Sequence, residues 1–513
     1  MKKTSAIFIS AVVSLGGFLF GFDAGIISGV MEYAGPQFNL NDTQWGWVVS
    51  SPSLAAMFTM LFSGALSDRV GRKPLLIGIA LLYSISAVFS ALSGSYEMLF
   101  ITRMVGGIAF GAALVLAPAY IAEISSAENR GKLVSIQQLN IVLGFFAAFL
   151  CNYYLNKTFS DGRSWMTENT VWRWMLGVES LPAILYFSLL FFVPKSPRWL
   201  ISKGRVEEGE KVLFQLHGEE KAKEESKSIQ ESLSSESQKT KVPVTDLFKP
   251  ALRFIVFVGL AIGILQQITG INAIYFYATT IFKQTGIGTN AAFTSGVLLS
   301  FTTVVFTLVA MYLIDRVGRR PLLLVGIFGI AVSLLLCAYS FSKASYDISP
   351  SSLAEIVDMD VSQFAGLEDR TFNNDVDFKR EMKSILGNIT YIKNEGAILE
   401  KAISMNSTMA LIGILGFIAC FAFSLGPVMW VMLSELYPNK YRGLAIGVIG
   451  FVTSFSTWLV QQIFPWELSN LGAATTFMIF GLIGLFGFFL LYKVLPETKG
   501  KSLEELELEL VRQ

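Results

Sequence analysis

Charged residues are scarce in this chain, and their scarcity indicates its class. They make up 15% of the 513 residues, against 53% hydrophobic residues, and the mean hydropathy is +0.54. A soluble chain carries charge on about a quarter of its residues. The composition therefore excludes an ordinary soluble domain and indicates helices packed in a membrane. The net charge of +1 also removes the usual electrostatic basis for binding nucleic acid.

Histidine and cysteine, which build many catalytic and metal sites, are almost absent. The chain has one histidine and three cysteines, without the spacing of a disulfide framework or a metal site. We interpret Cys151, Cys337 and Cys420, inside apolar runs, as packing residues, and His217, in a hydrophilic stretch, as a solvated loop residue. No nucleophile–base set or phosphate loop appears in the sequence either, so we predict neither an enzyme nor a bound cofactor.

What the chain does contain is a charged motif that occurs twice. Asp68–Leu76 reads DRVGRKPLL, and Asp315–Leu323 reads DRVGRRPLL. A second repeat places an arginine seven positions after a glutamate, as Glu123 with Arg130 and as Glu435 with Arg442. The second half carries 65 extra residues between the two motifs, which points to the polar stretch 343–406 as an insertion. Such a duplication is the usual construction of a secondary transporter.

Twelve apolar stretches are long enough to cross a membrane, which takes about 20 helical residues. We interpret the first as a retained helix rather than a signal peptide, because its apolar run continues through Asp23 to Val30. The predicted spans are residues 6–30, 45–66, 74–93, 97–122, 132–155, 174–193, 252–282, 291–314, 321–342, 407–433, 443–466 and 471–494.

Positive charge gathers on one side of these spans and predicts their orientation. It places both termini in the cytoplasm of a multi-pass protein of the cell (inner) membrane. The insertion, residues 344–404, then falls outside, and its eleven acidic and six basic residues agree with that side. The basic residues used are Lys2, Lys3, Arg69, Arg72, Lys73, Arg130, Lys132, Lys195, Arg198, Arg316, Arg319, Arg320, Lys440, Arg442, Lys499 and Lys501.

The spans predict an all-α membrane protein with two pseudo-symmetric six-helix halves, 1–193 and 251–495. A cytoplasmic linker, 194–250, joins them, and a cytoplasmic tail, 496–513, follows. Charges at helical spacing predict short linker helices, although a partly ordered linker fits residues 226–241 equally well. For the insertion, a cap on the outer vestibule, a partner-binding role and a locally folded loop all stay open. Its apolar spacing predicts small helices at Ile356, Val357, Val361 and Phe364, and at Ile385, Ile389 and Ile392.

The chain resembles the sugar porters of the major facilitator superfamily over nearly its whole length. The resemblance implies the major facilitator fold and transport of a sugar by alternating access. The motifs that carry it are the two repeated turns, Gly16–Asp23, Arg103–Gly107, Pro118–Glu123, Pro194–Leu200, Gln266–Asn272, Gly426–Trp430 and Pro496–Gly500.

Asp23 is the most informative single residue. An acid inside an apolar helix costs about 2.5–3.5 kcal/mol on insertion scales, so it persists where it is paired or functional. Arg103, in the fourth span, is the basic residue best placed to meet it. A movement that changes their separation would change the proton affinity of Asp23, and in the sugar porters that this chain resembles an Asp here accompanies proton symport. A fixed pair that holds two helices together is the alternative.

The resemblance also implies a sugar site at the midplane, built from neutral donors and acceptors and from aromatic faces. Its residues are Phe20, Gln138, Gln266, Gln267, Asn272, Tyr277, Gly426 and Trp430. Three positions depart from the family: Phe276 replaces a Tyr, Thr303 replaces an Asn, and Thr453–Ser454 replace an Asn/Gln-Trp pair. The particular sugar therefore stays open, and Gln461 and Gln462 are candidate compensating groups.

The repeated turns also predict charge clusters at the cytoplasmic helix ends, where Asp68 with Arg130 and Asp315 with Arg442 are candidate bridges. The resemblance implies that such clusters hold the outward-open state and break on inward opening. Positive charge that sets topology alone is the alternative, and Lys195 stands where the family carries a Glu. The full set is Asp68, Arg72, Glu123, Arg130, Arg198, Asp315, Arg319, Glu435 and Arg442.

Together these features predict a monomeric symporter in the lipid bilayer that imports a neutral pentose or hexose with a proton as the coupling ion. A facilitative uniporter and a proton/inositol symporter are the nearest alternatives. A non-transporting sugar sensor is the alternative from another class, and the short tail after Pro496 argues against it. The sequence leaves the stoichiometry and the role of the insertion open.

Overall fold

The computed structural model describes residues 6–126, 129–162, 165–237, 243–357, 370–438 and 440–499, together with Glu505. The part of the predicted cytoplasmic tail that follows Lys499, apart from Glu505, lies outside these residues, as do Val361, Phe364 and the part of the linker at 238–242. Within the described residues the chain is helical throughout, apart from connecting turns and one three-stranded sheet.

The first half forms helices at the predicted spans, two of which are divided. The first span is interrupted at Ser14, because residues 6–13 and 15–37 form separate helices. The sixth span is interrupted at Glu179, because residues 168–178 and 180–190 form two separate helices. The helices are α1 (Ala6–Val13), α2 (Leu15–Gln37), α3 (Asp42–Val70), α4 (Arg72–Ala91), α5 (Tyr96–Ile124), α6 (Arg130–Ser160), α7 (Glu168–Val178) and α8 (Ser180–Leu190).

The linker between the halves is helical where the structure describes it. It contains α9 (Pro197–Ser202), α10 (Val206–His217), α11 (Glu219–Ser237) and a 3-10 helix, Val244–Phe248. Ile201, Leu213 and Ala222 form a small core that packs these helices together.

His217 is not the solvated loop residue that its hydrophilic neighbourhood predicts. It ends α10, and its side chain is only 10% exposed. Its Nε2 lies 3.1 Å from the carbonyl oxygen of Ile124 and 3.4 Å from the carboxylate of Glu225. The expectation failed because α10 packs against the end of α5, 93 residues earlier in the chain.

The second half repeats the helical pattern with more breaks. Its first span is divided into α12 (Arg253–Ile268), α13 (Ile271–Phe276) and α14 (Ala278–Lys283). The next helices are α15 (Gly288–Val317) and α16 (Arg319–Ser342). After the insertion come α20 (Ser407–Phe423), α21 (Leu425–Leu436), α22 (Arg442–Asn470) and α23 (Gly472–Val494).

The insertion forms a small folded layer between α16 and α20. Strand β1 (Ser345–Asp347) pairs antiparallel with both β2 (Thr371–Phe372) and β3 (Ile403–Ser404). Its helices are α17 (Pro350–Val357), α18 (Asp375–Leu386) and α19 (Asn388–Ala402). Tyr346, Leu353, Phe378 and Leu399 are buried in its own core. Of the apolar residues whose spacing predicts small helices, Ile356, Val357, Ile385 and Ile392 pack against this core, whereas Ile389 is 59% exposed.

The repeated sequence motif builds the same turn twice. Gly71 separates α3 from α4 with φ 102°, and Gly318 separates α15 from α16 with φ 107°. Glycine adopts such angles without the steric cost that a Cβ imposes. The glycine of each motif therefore sets the turn that brings the motif's arginine to the start of the next helix.

Large apolar side chains cover the outside of the spanning helices. Phe62, Leu181, Phe192 and Phe486 are each at least 65% exposed. Among the described residues, eleven stretches are long and apolar enough to cross a membrane, and they coincide with the predicted spans other than the broken sixth. Exposed apolar surface on this scale is stable in lipid rather than in water, so the chain is a multi-pass membrane protein.

The chain forms two compact units. The first comprises Met1–Ala24, Ser51–Ala148 and Arg173–Pro243, and the second comprises Gly25–Ser50, Phe149–Trp172 and Val244–Gln513. The second unit therefore holds the helices of the second half and the insertion. It also holds the ends of α2 and α6 that lie opposite the basic turns. We call the helix ends on this side the outer ends. The predicted division at 194–250 stays a prediction.

Candidate functional site

A buried ion pair lies in the first unit, between α2 and α5. Arg103 Nη1 is 2.6 Å from Asp23 Oδ1, and the two residues are 2% and 8% exposed. Isolated buried charges are expensive, but a close, hydrogen-bonded pair offsets much of that cost. The structure thus brings together the two residues proposed for proton coupling.

Glu179 is a second buried acid near this pair, and the sequence reasoning missed it. It is 3% exposed at the break between α7 and α8, and it lies within electrostatic range of both Asp23 and Arg103. The available signal was the same one that marked Asp23, an acid inside a predicted span. A second buried carboxyl group therefore lies within electrostatic range of the Asp23–Arg103 pair.

In the second unit, the predicted sugar-site amides form one hydrogen-bonded chain. Gln266 Nε2 donates to the carbonyl oxygen of Leu425 at 2.9 Å and to that of Gly426 at 3.5 Å. Gln267 Nε2 donates to Gln266 Oε1 at 2.9 Å, and Asn272 Nδ2 donates to Gln267 Oε1. The arrangement offers neutral donors and acceptors that can exchange these internal bonds for sugar hydroxyls.

The helix break beside these amides follows from one glycine. Gly270 has φ 90° and separates α12 from α13, and a Cβ there would lie 2.6 Å from the Phe480 ring. Such a break frees backbone groups, which a membrane protein tolerates only where they are buried in protein or line a cavity. The glycine between Gln267 and Asn272 thus bends the chain at the predicted sugar site.

The remaining predicted sugar-site residues are placed on several helices. Tyr277 donates its hydroxyl to the carbonyl oxygen of Gln461 at 2.7 Å, and Trp430 lies on α21 with 47% of its surface exposed. Phe20 packs against Phe110 in the first unit, with ring centroids 4.8 Å apart. Gln138 is half-buried on α6, also in the first unit.

Thr303 and Thr453, which depart from the family, lie in the second unit, as does the candidate compensating residue Gln462. Thr303 Oγ1 lies 2.8 Å from the Tyr275 hydroxyl. Thr453 is 5% exposed, and among the described residues its Oγ1 has no hydrogen-bond partner. Gln462 accepts from Ser50 Oγ at 2.8 Å and donates to the Thr43 carbonyl at 3.1 Å, so its side chain joins α22 to α3.

The charge cluster of the first unit joins the repeated turn to α5 and the linker. Arg72 lies 2.7 Å from Asp68 and 2.9 Å from Glu123, and Ser196 Oγ donates to Glu123 at 2.5 Å. Lys195, which replaces the family's Glu, is exposed. All of these residues belong to the first unit.

The second unit contains the matching cluster. Arg319 lies 2.9 Å from Glu435, and Thr498 Oγ1 donates to Glu435 at 2.5 Å. Glu497 accepts from the backbone N–H groups of Arg319 and Arg320, each at 3.2 Å. The Pro496–Gly500 motif thus contributes two cluster residues, a role that the sequence reasoning did not assign.

The two bridges predicted between helix ends involve side chains that the structure does not describe, those of Arg130 and Asp315. Of the other cluster residues, Arg442 Nε donates to the Tyr437 carbonyl at 3.2 Å, and Arg198 lies 3.4 Å from Ser232 Oγ. Among the described residues, no group of three or more His, Cys, Asp or Glu side chains is placed to hold a metal ion.

Comparison with known proteins places these features in a family. A family model described as "Sugar (and other) transporter" matches residues 9–356 and 382–510. The arabinose-proton symporter of Bacillus subtilis (strain 168) is 34% identical over 98% of this chain and 94% of its own length. The major myo-inositol transporter IolT of the same organism is 35% identical over 97% and 93%, respectively.

Solved structures agree with these sequence relatives. The xylose transporter XylE from E. coli, in an inward open conformation, matches with a TM-score of 0.74 at 28% identity, over 98% of this chain and 100% of that one. The predicted all-α major facilitator fold and the predicted resemblance are therefore confirmed. The chain belongs to the family of sugar (and other) transporters, the sugar porters of the major facilitator superfamily.

Proposed function

We propose that this protein is a proton-coupled symporter that imports a neutral monosaccharide, a pentose or hexose, by alternating access. The observation that carries the proposal is the ion pair of Asp23 and Arg103 at 2.6 Å, buried within apolar helices. A similar protein is named an arabinose-proton symporter, and the solved relatives include a proton:xylose symporter.

The proton is the proposed coupling ion, and Asp23 is its proposed carrier. Protonation neutralises the carboxylate and weakens its attraction to Arg103, so proton binding and helix movement are linked. Glu179 is a second group that can share the charge of Arg103. One proton crossing at about 100 mV supplies about 2.3 kcal/mol, enough for roughly fifty-fold sugar accumulation.

The proposed sugar site uses the hydrogen-bonded amides of α12 and α13. Their groups carry no charge, which suits a neutral sugar, and aromatic residues can cover its C–H faces. The proposed contacts are Phe20, Gln138, Gln266, Gln267, Asn272, Tyr277, Gly426 and Trp430.

The clusters around Arg72 and Arg319 are the proposed gating charges on the cytoplasmic side. Both termini lie on that side in this proposal, because the basic turns flank the same ends of the spans. The two clusters contain equivalent Arg–Glu pairs, each at 2.9 Å, which fits a transporter built from two repeated halves.

A proton measurement tests the coupling directly. The protein is reconstituted in liposomes, and external pH is recorded while xylose, arabinose, glucose, galactose or inositol is added. We expect alkalinisation with one of the monosaccharides, because each imported sugar takes a proton with it. Sugar entry without a pH change would instead establish a facilitative uniporter.

Asp23→Asn provides the residue-level test of the same proposal. We expect uphill accumulation and the pH signal to disappear, while sugar binding and exchange persist, because asparagine keeps the shape but cannot carry the proton. Glu207→Gln is the matched control, since Glu207 is exposed on the linker helix α10. Unchanged accumulation in Asp23→Asn would make the pair a structural contact only.

Inositol is the second candidate substrate, because the major myo-inositol transporter IolT is 35% identical to this chain. A cyclic polyol presents the same ring of hydroxyl groups without the ring oxygen of a sugar. A pH signal with inositol alone would replace the monosaccharide in the proposal and would leave the coupling intact.

A further inference from the structure

A polar seam joins the outer end of α2 to α14 within the second unit. Thr279 Oγ1 lies 3.4 Å from Ser28 Oγ, and Thr280 Oγ1 donates to Glu32 Oε1 at 2.6 Å. Lys283 Nζ then lies 2.5 Å from Glu32 Oε2. The side chains of Lys283 and Glu32 are only 9% and 3% exposed, so the seam ends in a buried ion pair.

Lys283 also faces a second carboxylate, which comes from the insertion. Its Nζ lies 3.9 Å from Glu395 Oε2 on α19. Gln284 Nε2 and the Tyr391 hydroxyl hold the other oxygen of Glu395, at 3.3 and 3.4 Å. Burial acts to raise the pKa of Glu395, but the positive charges of Lys283 and Lys379 outweigh it and hold the pKa below its ordinary value. Glu395 is therefore an anion beside Lys283.

The insertion is anchored to helices of the second half by buried contacts. Asp375 Oδ2 accepts from the backbone N–H of Ala473, at the start of α23, at 3.1 Å and lies 3.2 Å from Lys379. Gln284 Nε2, just after α14, donates to Glu395 Oε1 at 3.3 Å. Glu395 is thus bonded to the residue that follows α14, the helix that carries Lys283.

Contacts from the insertion to the outer ends of first-half helices are exposed. Lys393 lies 3.3 Å from Glu168, with side chains 56% and 46% exposed, and Asn388 Nδ2 lies 3.5 Å from Asn39 Oδ1 at an exposed site. Exposed ion pairs and long hydrogen bonds contribute little. The insertion therefore stays with α14 when α2 moves away.

In the alternating access of the proposed function, we infer that the outer ends of α2 and α14 separate to admit sugar, which would break the bond between Lys283 and Glu32. A buried lysine that loses its carboxylate partner raises the free energy of that state. Because Glu395 remains within reach, Lys283 keeps a carboxylate throughout the movement. Glu32 and Glu395 therefore act on the same lysine in opposite states.

We propose that Glu395 is a positioning residue for transport, to which Lys283 transfers from Glu32 when the outer ends of α2 and α14 separate. The inference rests on the alternating access of the proposed function. Glu32 stabilises the closed outer gate, and Glu395 lowers the free energy of the open one. The insertion thereby contributes a residue that stabilises the open outer gate.

Spin-label distances test this transfer without requiring sugar or a proton gradient. Labels at Thr43 and Ser384, both exposed, are introduced after replacement of Cys151, Cys337 and Cys420 by serine, and their distance distribution is measured by electron paramagnetic resonance. We expect Glu32→Gln to raise the long-distance population about threefold or more, and Glu395→Gln to lower it by a similar factor. Glu381→Gln, which removes an exposed pair with Arg370, is the matched control.

Transport supplies the second readout. Glu395→Gln should raise the external KM and slow influx. Glu395→Asp should partly restore the KM and the influx rate, because a shorter carboxylate still faces Lys283.

Gln284→Ala provides a second variant if Glu395→Gln fails to fold. It keeps every charge but removes a hydrogen bond to Glu395, so it should lower the long-distance population as Glu395→Gln does. Shifts of the same sign in Glu32→Gln and Glu395→Gln, or no shift in Glu395→Gln, would overturn the proposal. If coupling is absent but the distances still shift in opposite directions, the symport proposal fails and the gate proposal stands.

Discussion

At the scale of single residues, chemistry depends on a few polar side chains held among apolar ones. Asp23 and Arg103 face each other because two helices bring positions 80 residues apart into contact. Gln266, Gln267 and Asn272, in contrast, share one short segment whose break at Gly270 aligns them. The residue types alone predicted both the ion pair and the amide group. The fold added contacts that the sequence did not indicate, namely Leu425 for Gln266 and Glu179 for the ion pair.

The amide chain leads to a prediction for Gln267→Ala. The substitution removes a donor to Gln266 and an acceptor for Asn272, and each lost hydrogen bond is worth about 0.5–1.5 kcal/mol. We expect sugar KM to rise roughly three- to tenfold or more, measured by uptake into proteoliposomes. Gln230→Ala, on the linker helix α11, is the control. Unaltered affinity would place the sugar elsewhere.

At the scale of elements, helix breaks divide several of the predicted spans. The seventh span is divided at Gly270 and again at Tyr277, and the tenth is divided at Ser424. Hydropathy predicted each as one continuous span, because the breaks do not interrupt the apolar composition. Glycine at 270 was the only sequence signal for the first break, and nothing in the local pattern marked the one at Tyr277.

The break at Gly270 can be tested by Gly270→Ala. Alanine at φ 90° would be in the left-handed conformation, which costs about 1–2 kcal/mol for a residue with a Cβ. In addition, its Cβ would lie 2.6 Å from the Phe480 ring. We expect a lower unfolding temperature in detergent and slower transport. Gly447→Ala is the matched control, since a Cβ there would meet no atom within 4 Å. Adding Phe480→Ala should recover the steric part of the loss; equal stability of Gly270→Ala and Gly447→Ala would contradict the strain argument.

At the scale of the whole molecule, charge placement and duplication organise the chain. The repeated turns at Gly71 and Gly318 carry equivalent Arg–Glu pairs, Arg72 with Glu123 and Arg319 with Glu435. The insertion interrupts the second half only, and its own core explains how 61 residues fold without disturbing α16 and α20.

The predicted orientation gives a whole-molecule test. In a variant without native cysteines, a cysteine at Ser384 should react in intact cells with a maleimide that cannot cross the membrane. A cysteine at Glu207 should react only after permeabilisation, because the basic turns keep the linker inside. Both positions are exposed, so access decides the result. Labelling in the reverse order would invert the orientation and exclude the assignment of the insertion to the outside.

The sequence by itself determined the class, the spans, the repeat and the family, because apolar length, charge placement and ordered motifs are local properties of the chain. It also located Asp23, since an acid in an apolar helix is conspicuous without any structure. Only the tertiary structure decided which groups meet: Glu179 beside the ion pair, Glu497 at the Arg319 turn, His217 against α5, and Lys283 between Glu32 and Glu395. His217 and Ile124 are 93 positions apart in the chain, and Lys283 and Glu32 are 251 apart. No local pattern specifies how helices pack over such separations.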